Sequence, residues 1–152
     1  MKTFITLILS GFLFCVSLSG QSSIKEDSIV NDSVKVQLPA AKNQQLILWT
    51  SGDREVALKM VFMYAFNCKK NSWMDNVRLL VWGPSGKLLV EDSELQEKLK
   101  ALKDAGVELY ACKACADMYG ISDKLSILGI NVIYTGQMLA DLQKNGWHIL
   151  SL

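Results

Sequence analysis

The chain has 152 residues, of which half are apolar and a fifth are charged, and its formal net charge is +1. This is the composition of one globular domain with extensions. Because lysine and arginine are not gathered into a basic stripe, the sequence predicts no nucleic-acid partner.

Residues 1–20 predict a secretory signal peptide. Lys2 is followed by an apolar run from Phe4 to Leu18 and then by the small residues Ser19 and Gly20. The run is too short for a good membrane span, so we expect no stable membrane insertion once the signal is cleaved. An uncleaved N-terminal anchor is the alternative. We therefore expect an exported protein, periplasmic or secreted.

Residues 21–43 are polar and rich in serine, aspartate and lysine, which predicts a linker that is at most partly ordered. The alternating residues 34–38 within it could form an edge strand. An α/β domain is predicted over residues 44–152.

The first helix of this domain is predicted over residues 54–70, after a strand at 46–50, with Ser51 or Asp53 as its cap. It has almost no polar face, and a helix that is apolar all round is buried on more than one side. Since a sheet covers only one side, we expect a partner subunit to cover another.

The rest of the domain alternates strands with helices. The sequence first predicts a strand at 76–82, a turn at 83–86, a short extended piece at 88–90, and a helix that begins at the capping box 93–96 and ends at Gly106. It then predicts a strand at 107–111 and a short helix or turn at 122–128. The last predicted elements are a strand at 131–134, a helix at 135–144 and a strand at 147–150. Such alternation predicts a mostly parallel five-stranded sheet with helices on both faces, joined by right-handed crossovers.

Cys112 ends the predicted strand 107–111, and Cys115 follows three residues later. In an open α/β sheet, ligands bind beyond the carboxyl ends of the strands. A thiol placed there also lies near the first N–H groups of the next helix, which favour an anion. We therefore expect Cys112 to be a reactive thiolate that solvent can reach. Lys113 would favour its ionisation, and Asp117 would oppose it if it faces the sulfur.

Four interpretations of the two cysteines compete. A structural zinc site needs four ligands, typically with a second cysteine pair or histidines at matching spacing, and beyond this pair the exported chain offers only the isolated Cys68 and His148, so no metal is predicted. We expect Cys68 to be a packed apolar residue, and His148 to act as a base only if the last strand brings it to the cysteines. Thioredoxin-like chemistry is the second interpretation, but no proline follows Cys112 to face the dithiol.

The third interpretation is a sulfur carrier, in which Cys112 attacks as a thiolate and Cys115 resolves a persulfide or sulfenic acid. The fourth is a structural disulfide or two inert thiols, which export would favour. The chain contains no Gly-x-Gly-x-x-Gly motif and no P-loop, so no bound nucleotide or other cofactor is predicted.

From residue 46 to its end the chain resembles the DsrE/DsrF-like family of small sulfur-relay proteins. The resemblance is carried by the opening strand with Thr50-Ser51-Gly52, by the apolar first helix, and by residues 106–112 followed by Gly120-Ile121. It implies a flavodoxin-like, three-layer fold and a sulfurtransferase or sulfur carrier that holds sulfane sulfur as a persulfide on Cys112.

The resemblance also implies a homo-oligomer, trimeric or hexameric, which exchanges sulfur with a donor or acceptor that is a protein or a small thiol. Two alternatives stay open. One is a non-catalytic oligomeric binding module with a Cys112–Cys115 disulfide, and the other is a thiol–disulfide oxidoreductase.

Overall fold

The computed structural model describes residues 43–152, which form an α/β domain. The predicted signal peptide, the linker up to residue 42 and the candidate strand at 34–38 lie outside the described residues. Within residues 43–152, no helix has both the length and the apolar character needed to cross a membrane.

Five strands of the described domain form one parallel sheet, in the spatial order β4-β3-β2-β1-β5. The strands are β1 (Gln44–Trp49), β2 (Asn76–Val81), β3 (Glu108–Cys112), β4 (Asn131–Ile133) and β5 (His148–Ser151). The predicted five-stranded sheet is therefore confirmed, and the predicted strands differ from the observed ones only at their ends.

The helices connect the strands in the predicted order. They are α1 (Arg54–Val56), α2 (Met63–Lys70), α3 (Pro84–Glu91), α4 (Ser93–Asp104), α5 (Lys113–Tyr119), α6 (Ser122–Ile127) and α7 (Thr135–Lys144). A π-helical segment, Ala57–Phe62, joins α1 to α2, so residues 54–70 form one helical run as predicted. Asp53 caps this run, because its carboxylate accepts the N–H groups of Glu55 and Val56.

Residues 84–91 form a helix where the sequence predicted a turn and a short extended piece. Pro84 lies in the first turn of α3, where its missing N–H leaves no helical hydrogen bond unmade. The Ser85 hydroxyl, fully buried, donates to the carbonyl of Trp49 at 2.7 Å and accepts the N–H of Trp82 at 3.1 Å. The prediction was wrong because a short apolar run such as 88–90 fits a strand and a buried helix equally well.

The cap of α4 is also one residue away from its predicted place. Asp92 caps the helix, since its carboxylate accepts the N–H of Leu95 at 3.0 Å, and Ser93 is the first helical residue. That N–H, together with Arg54 at 2.7 Å, holds the pKa of the Asp92 carboxyl below its usual value. Asp92 thereby links the start of α4 to the start of the first helical run.

The sheet separates a large core from a small one. Alternate strand residues such as Ile47 and Leu79 face the large core, to which α1 to α6 contribute. Leu46 and Leu80 point the other way and pack with Leu142 of α7. The domain therefore has three layers, with α7 alone on the second face.

Replacing Ser85 by alanine should lower the free energy of unfolding by about 0.5–1.5 kcal/mol, because it removes the hydroxyl that bonds to the Trp49 carbonyl and the Trp82 N–H, two groups that stay bonded to each other at 3.0 Å. Urea denaturation measures this loss. Ser126→Ala is the control, since that hydroxyl is exposed and bonds only to the carbonyl of Ser122; its effect should stay within about 0.5 kcal/mol. Equal losses in the two variants would contradict this role of Ser85.

Candidate functional site

Cys112 is the last residue of β3 and the N-cap residue of α5, and it pairs with Ile133 of β4. The chain leaves these two neighbouring strands on opposite faces of the sheet. Ala116 of α5 belongs to the large core, whereas Leu142 of α7 belongs to the small one. Open parallel sheets bind ligands in the crevice that such a divergence creates. The cysteine therefore lies at the carboxyl edge, as predicted, and specifically between β3 and β4.

The Cys112 sulfur is surrounded by neutral hydrogen-bond donors. Burial raises the pKa of this thiol, but the N–H of Cys115, the hydroxyl of Thr135, the thiol of Cys115 and the N–H of Ala114 together outweigh burial. The pKa of Cys112 consequently lies below its ordinary value. The expectation that amide N–H groups face this sulfur is confirmed.

Cys112 is less accessible to solvent than predicted, because only 6% of the residue is exposed. The first turn of α5 closes over the sulfur from one side, and Thr135 at the start of α7 closes it from another. Only a small part of Cys112 is therefore accessible to a reaction partner.

Cys115 is half-buried, and both it and Cys112 are free thiols. Burial raises the pKa of Cys115, and so do its hydrogen bond to Cys112 and the negative charge there; the N–H of Gly83 acts in the opposite direction. The pair is therefore asymmetric. Cys112 ionises first, while Cys115 keeps its proton and donates a hydrogen bond to the Cys112 sulfur.

Lys113 and Asp117 neutralise each other instead of acting on the thiol. The Lys113 ammonium lies 2.7 and 2.9 Å from the two carboxylate oxygens of Asp117, which also accept the Ser122 hydroxyl. Neither residue is among the main causes that shift the pKa of Cys112. The expectation that Lys113 favours the thiolate is therefore not met, because its charge is paired.

The remaining candidates lie elsewhere. Cys68 is fully buried in the large core, as predicted. His148 begins β5, so it lies at the amino edge of the sheet, whereas Cys112 lies at the carboxyl edge of β3. His148 is thus not placed to act as a base on the thiol. Among residues 43–152, no group of three or more metal-ligating side chains could hold a metal ion.

Thr135 is the site residue that the sequence analysis missed. It is 1% exposed, and its hydroxyl forms no hydrogen bond of ordinary geometry. The sulfur of Cys112 is the group that it faces. A threonine at the start of a helix is common, so the sequence carried no signal for this contact.

Comparisons with known proteins place the chain among small α/β proteins. Residues 75–152 match the DsrE/DsrF-like family. No curated protein matches the chain. Conserved protein of unknown function BT1422 from Bacteroides thetaiotaomicron is 32% identical over 76% of this chain and 99% of its own, with a TM-score of 0.72.

Two more distant structures share the fold. The ychN protein from E. coli is 19% identical, and protein of unknown function MTH1491 from Methanobacterium thermoautotrophicum is 21% identical. Each comparison covers 72% of this chain and 99% of the other, with a TM-score of 0.57.

Replacing Cys112 by alanine should make Cys115 more reactive. The change removes the sulfur that accepts the Cys115 proton and the charge that opposes its ionisation, so the pKa of Cys115 should fall. We expect alkylation of Cys115 by iodoacetamide near neutral pH to accelerate at least about threefold, because the thiolate is the form that reacts. Mass spectrometry of tryptic peptides resolves the two thiols, since trypsin cleaves after Lys113 between them.

Cys68→Ala is the matched control, because it removes a buried thiol from a different part of the domain. Its Cys115 should react at the wild-type rate. A Cys115 rate that does not change in Cys112→Ala would show that the two thiols are not coupled.

Proposed function

The chain belongs to the DsrE/DsrF-like family, and on that premise we propose that it is a sulfur-relay protein that carries sulfane sulfur as a persulfide on Cys112. Membership in this family is consistent with a sulfur-relay role for the protein. The observation that carries the finer proposal is the placement of the Cys112 sulfur, buried at the carboxyl edge of the sheet among neutral donors that lower its pKa.

Loading begins when the Cys112 thiolate attacks the outer sulfur of a donor R–S–SH. The S–S bond of the donor breaks, R–S⁻ leaves and takes up a proton, and Cys112 becomes a persulfide. With thiosulfate as donor the leaving group is sulfite. The sulfane sulfur changes its carrier, and no external oxidant or reductant is consumed.

The donors around Cys112 support this chemistry, because the thiolate is the nucleophile. An unperturbed thiol with a pKa of about 8.5 is only about 3% ionised at pH 7. Lowering the pKa increases the thiolate fraction but reduces intrinsic nucleophilicity, and it makes the thiol a better leaving group. The site is therefore suited to a sulfur that must both attack and leave.

Cys115 is the candidate resolving thiol. Its thiolate would attack the inner sulfur of the Cys112 persulfide, a disulfide would form, and HS⁻ would leave. The sulfane sulfur is reduced to sulfide in this step, while the two thiols are oxidised. The hydrogen bond between Cys115 and Cys112 supports this assignment, because it brings the two sulfur atoms within contact.

The burial of Cys112 restricts the donor and the acceptor. With 6% of the residue exposed, a sulfur atom at the tip of a slender group is the reactant that such limited access suits. A small persulfide or thiol meets this requirement, and so does a cysteine on a flexible segment of a partner protein.

We also propose that the protein is exported and assembles into a homo-oligomer, trimeric or hexameric. Met60 and Met63 of the first helical run are 50% and 55% exposed. Met63 also lines a groove between this run and α4, together with apolar side chains such as Phe62, Phe66 and Leu102. An exposed apolar surface of this kind supports a contact with another subunit.

Incubation of the reduced protein with thiosulfate or polysulfide should add one sulfur atom, about 32 Da, as a persulfide. Intact-mass spectrometry measures the addition. The tryptic peptide that ends at Lys113 should carry the adduct in the wild type and in Cys115→Ser, and should carry none in Cys112→Ser.

The alternatives give other results. A wild-type protein that takes up no sulfur and lacks two hydrogen atoms until it is reduced would contradict the carrier and indicate a disulfide-bonded module or an oxidoreductase. Reduction of insulin by the protein would then distinguish the oxidoreductase from the module.

Replacing both Met60 and Met63 by glutamate should dissociate the oligomer, because it places charges on the proposed contact surface. Analytical ultracentrifugation measures the change in mass. Met118→Glu is the control, because Met118 is 84% exposed and lies on α5, away from this surface. A wild-type protein that sediments as a monomer would refute the proposed assembly.

A further inference from the structure

We propose that Thr135 is a catalytic residue of the relay, whose hydroxyl donates a hydrogen bond to the Cys112 sulfur and stabilises it as the leaving thiolate when sulfur is passed on. This inference rests on the proposed function, since it concerns the release of sulfur from Cys112. It assigns a role to a residue outside the two-cysteine motif.

The topology of the sheet brings Thr135 to Cys112. Ile133 pairs with Cys112 across β3 and β4, and Thr135 follows it by two residues as the first residue of α7. Because α5 and α7 leave the sheet on opposite faces, the starts of these helices face each other across the crevice that holds the sulfur.

The Thr135 hydroxyl has no competing role in the described domain. A threonine at the start of a helix usually caps it with its hydroxyl. Here Tyr134 occupies the N-cap position, and no side chain caps α7. The hydroxyl is buried and makes no hydrogen bond of ordinary geometry with any described residue. A buried hydroxyl of this kind calls for an acceptor, and the Cys112 sulfur is beside it.

None of the other described groups around the Cys112 sulfur is a side-chain donor outside the two thiols. The N–H groups of Ala114 and Cys115 belong to the backbone, and the Cys115 thiol is the candidate resolving group. The charged side chains of α5, Lys113 and Asp117, are paired with each other. Thr135 is thus a side-chain donor that a mutation can remove while both cysteines stay in place.

The hydroxyl matters most when sulfur leaves. An acceptor thiolate attacks the outer sulfur of the Cys112 persulfide, the bond between the two sulfur atoms breaks, and its electron pair returns to the Cys112 sulfur. The acceptor becomes the persulfide, and Cys112 becomes a thiolate again. A thiol leaves faster when its pKa is lower, so a hydrogen bond to the departing sulfur accelerates this step.

Three variants test the inference. Thr135→Val keeps the shape of the side chain and removes the hydroxyl, whereas Thr135→Ser keeps a hydroxyl. Thr50→Val is the matched control, because its hydroxyl lies beyond the end of β1 and bonds to the carbonyl of Leu152. One measurement is the pH dependence of Cys112 alkylation by iodoacetamide, read from tryptic peptides. The other is the rate at which polysulfide-loaded protein transfers its sulfur to excess free cysteine.

We expect the alkylation profile of Thr135→Val to shift upward by about one pH unit, which is a tenfold loss of thiolate below the pKa. Transfer to cysteine should slow severalfold. At a pH above both pKa values, loading by polysulfide should be as fast as in the wild type or faster, because the more basic thiolate is the better nucleophile. Thr135→Ser and Thr50→Val should behave like the wild type.

This division between loading and release distinguishes catalysis from a structural role, which would slow both steps or neither. The inference is overturned if Thr135→Val keeps the wild-type profile and transfer rate, or if Thr135→Ser is as defective as Thr135→Val. Should Thr135→Val not fold, Thr135→Ala, which only removes atoms, provides the same comparison. The alkylation profile of Cys112 can be measured without any persulfide, so it tests the role of Thr135 independently of sulfur transfer. A wild-type protein that takes up no sulfur would instead refute the proposed sulfur-relay function.

Discussion

The Cys112 sulfur is buried, yet its surroundings favour its negative charge. Removal from water normally keeps a thiol protonated, and a cation is a common way to reverse that tendency. Here the reversal comes from hydrogen bonds of neutral groups, two of them backbone N–H groups at the start of α5. The charge of Lys113, which is adjacent in sequence, is taken up by Asp117.

The path of the chain creates this environment. The strands are added in one direction from β1 to β4, and the chain then returns past β1 to place β5 on its other side. With crossovers of one hand, the return requires α7 to lie on the opposite face of the sheet from the other helices. The helices that follow β3 and β4 lie on opposite faces of the sheet. Hydrogen-bond donors from both α5 and α7 therefore lie near the Cys112 sulfur at the end of β3. The same path leaves the second face to α7 alone.

Much of the fold could be predicted from the sequence, because its strands are compact apolar runs separated by turn residues and amphipathic helices. The helix at 84–91 could not, since its short apolar segment carries no distinguishing period. Cys112 could be placed at the end of a strand, but its burial depends on how α5 and α7 close over it. Thr135 acts through a contact between residues far apart in the chain, and no spacing or motif in the sequence encodes such a contact. The pairing of Lys113 with Asp117 likewise appears only once α5 has formed.

The ionisation of Cys112 can be measured in the reduced wild-type protein through the pH dependence of alkylation of its own tryptic peptide. We predict a midpoint below that of Cys115 and below the value of about 8.5 that is usual for a free thiol. A midpoint at or above that of Cys115 would contradict it, because burial would then outweigh the hydrogen bonds and Cys112 would remain a protonated, packed residue.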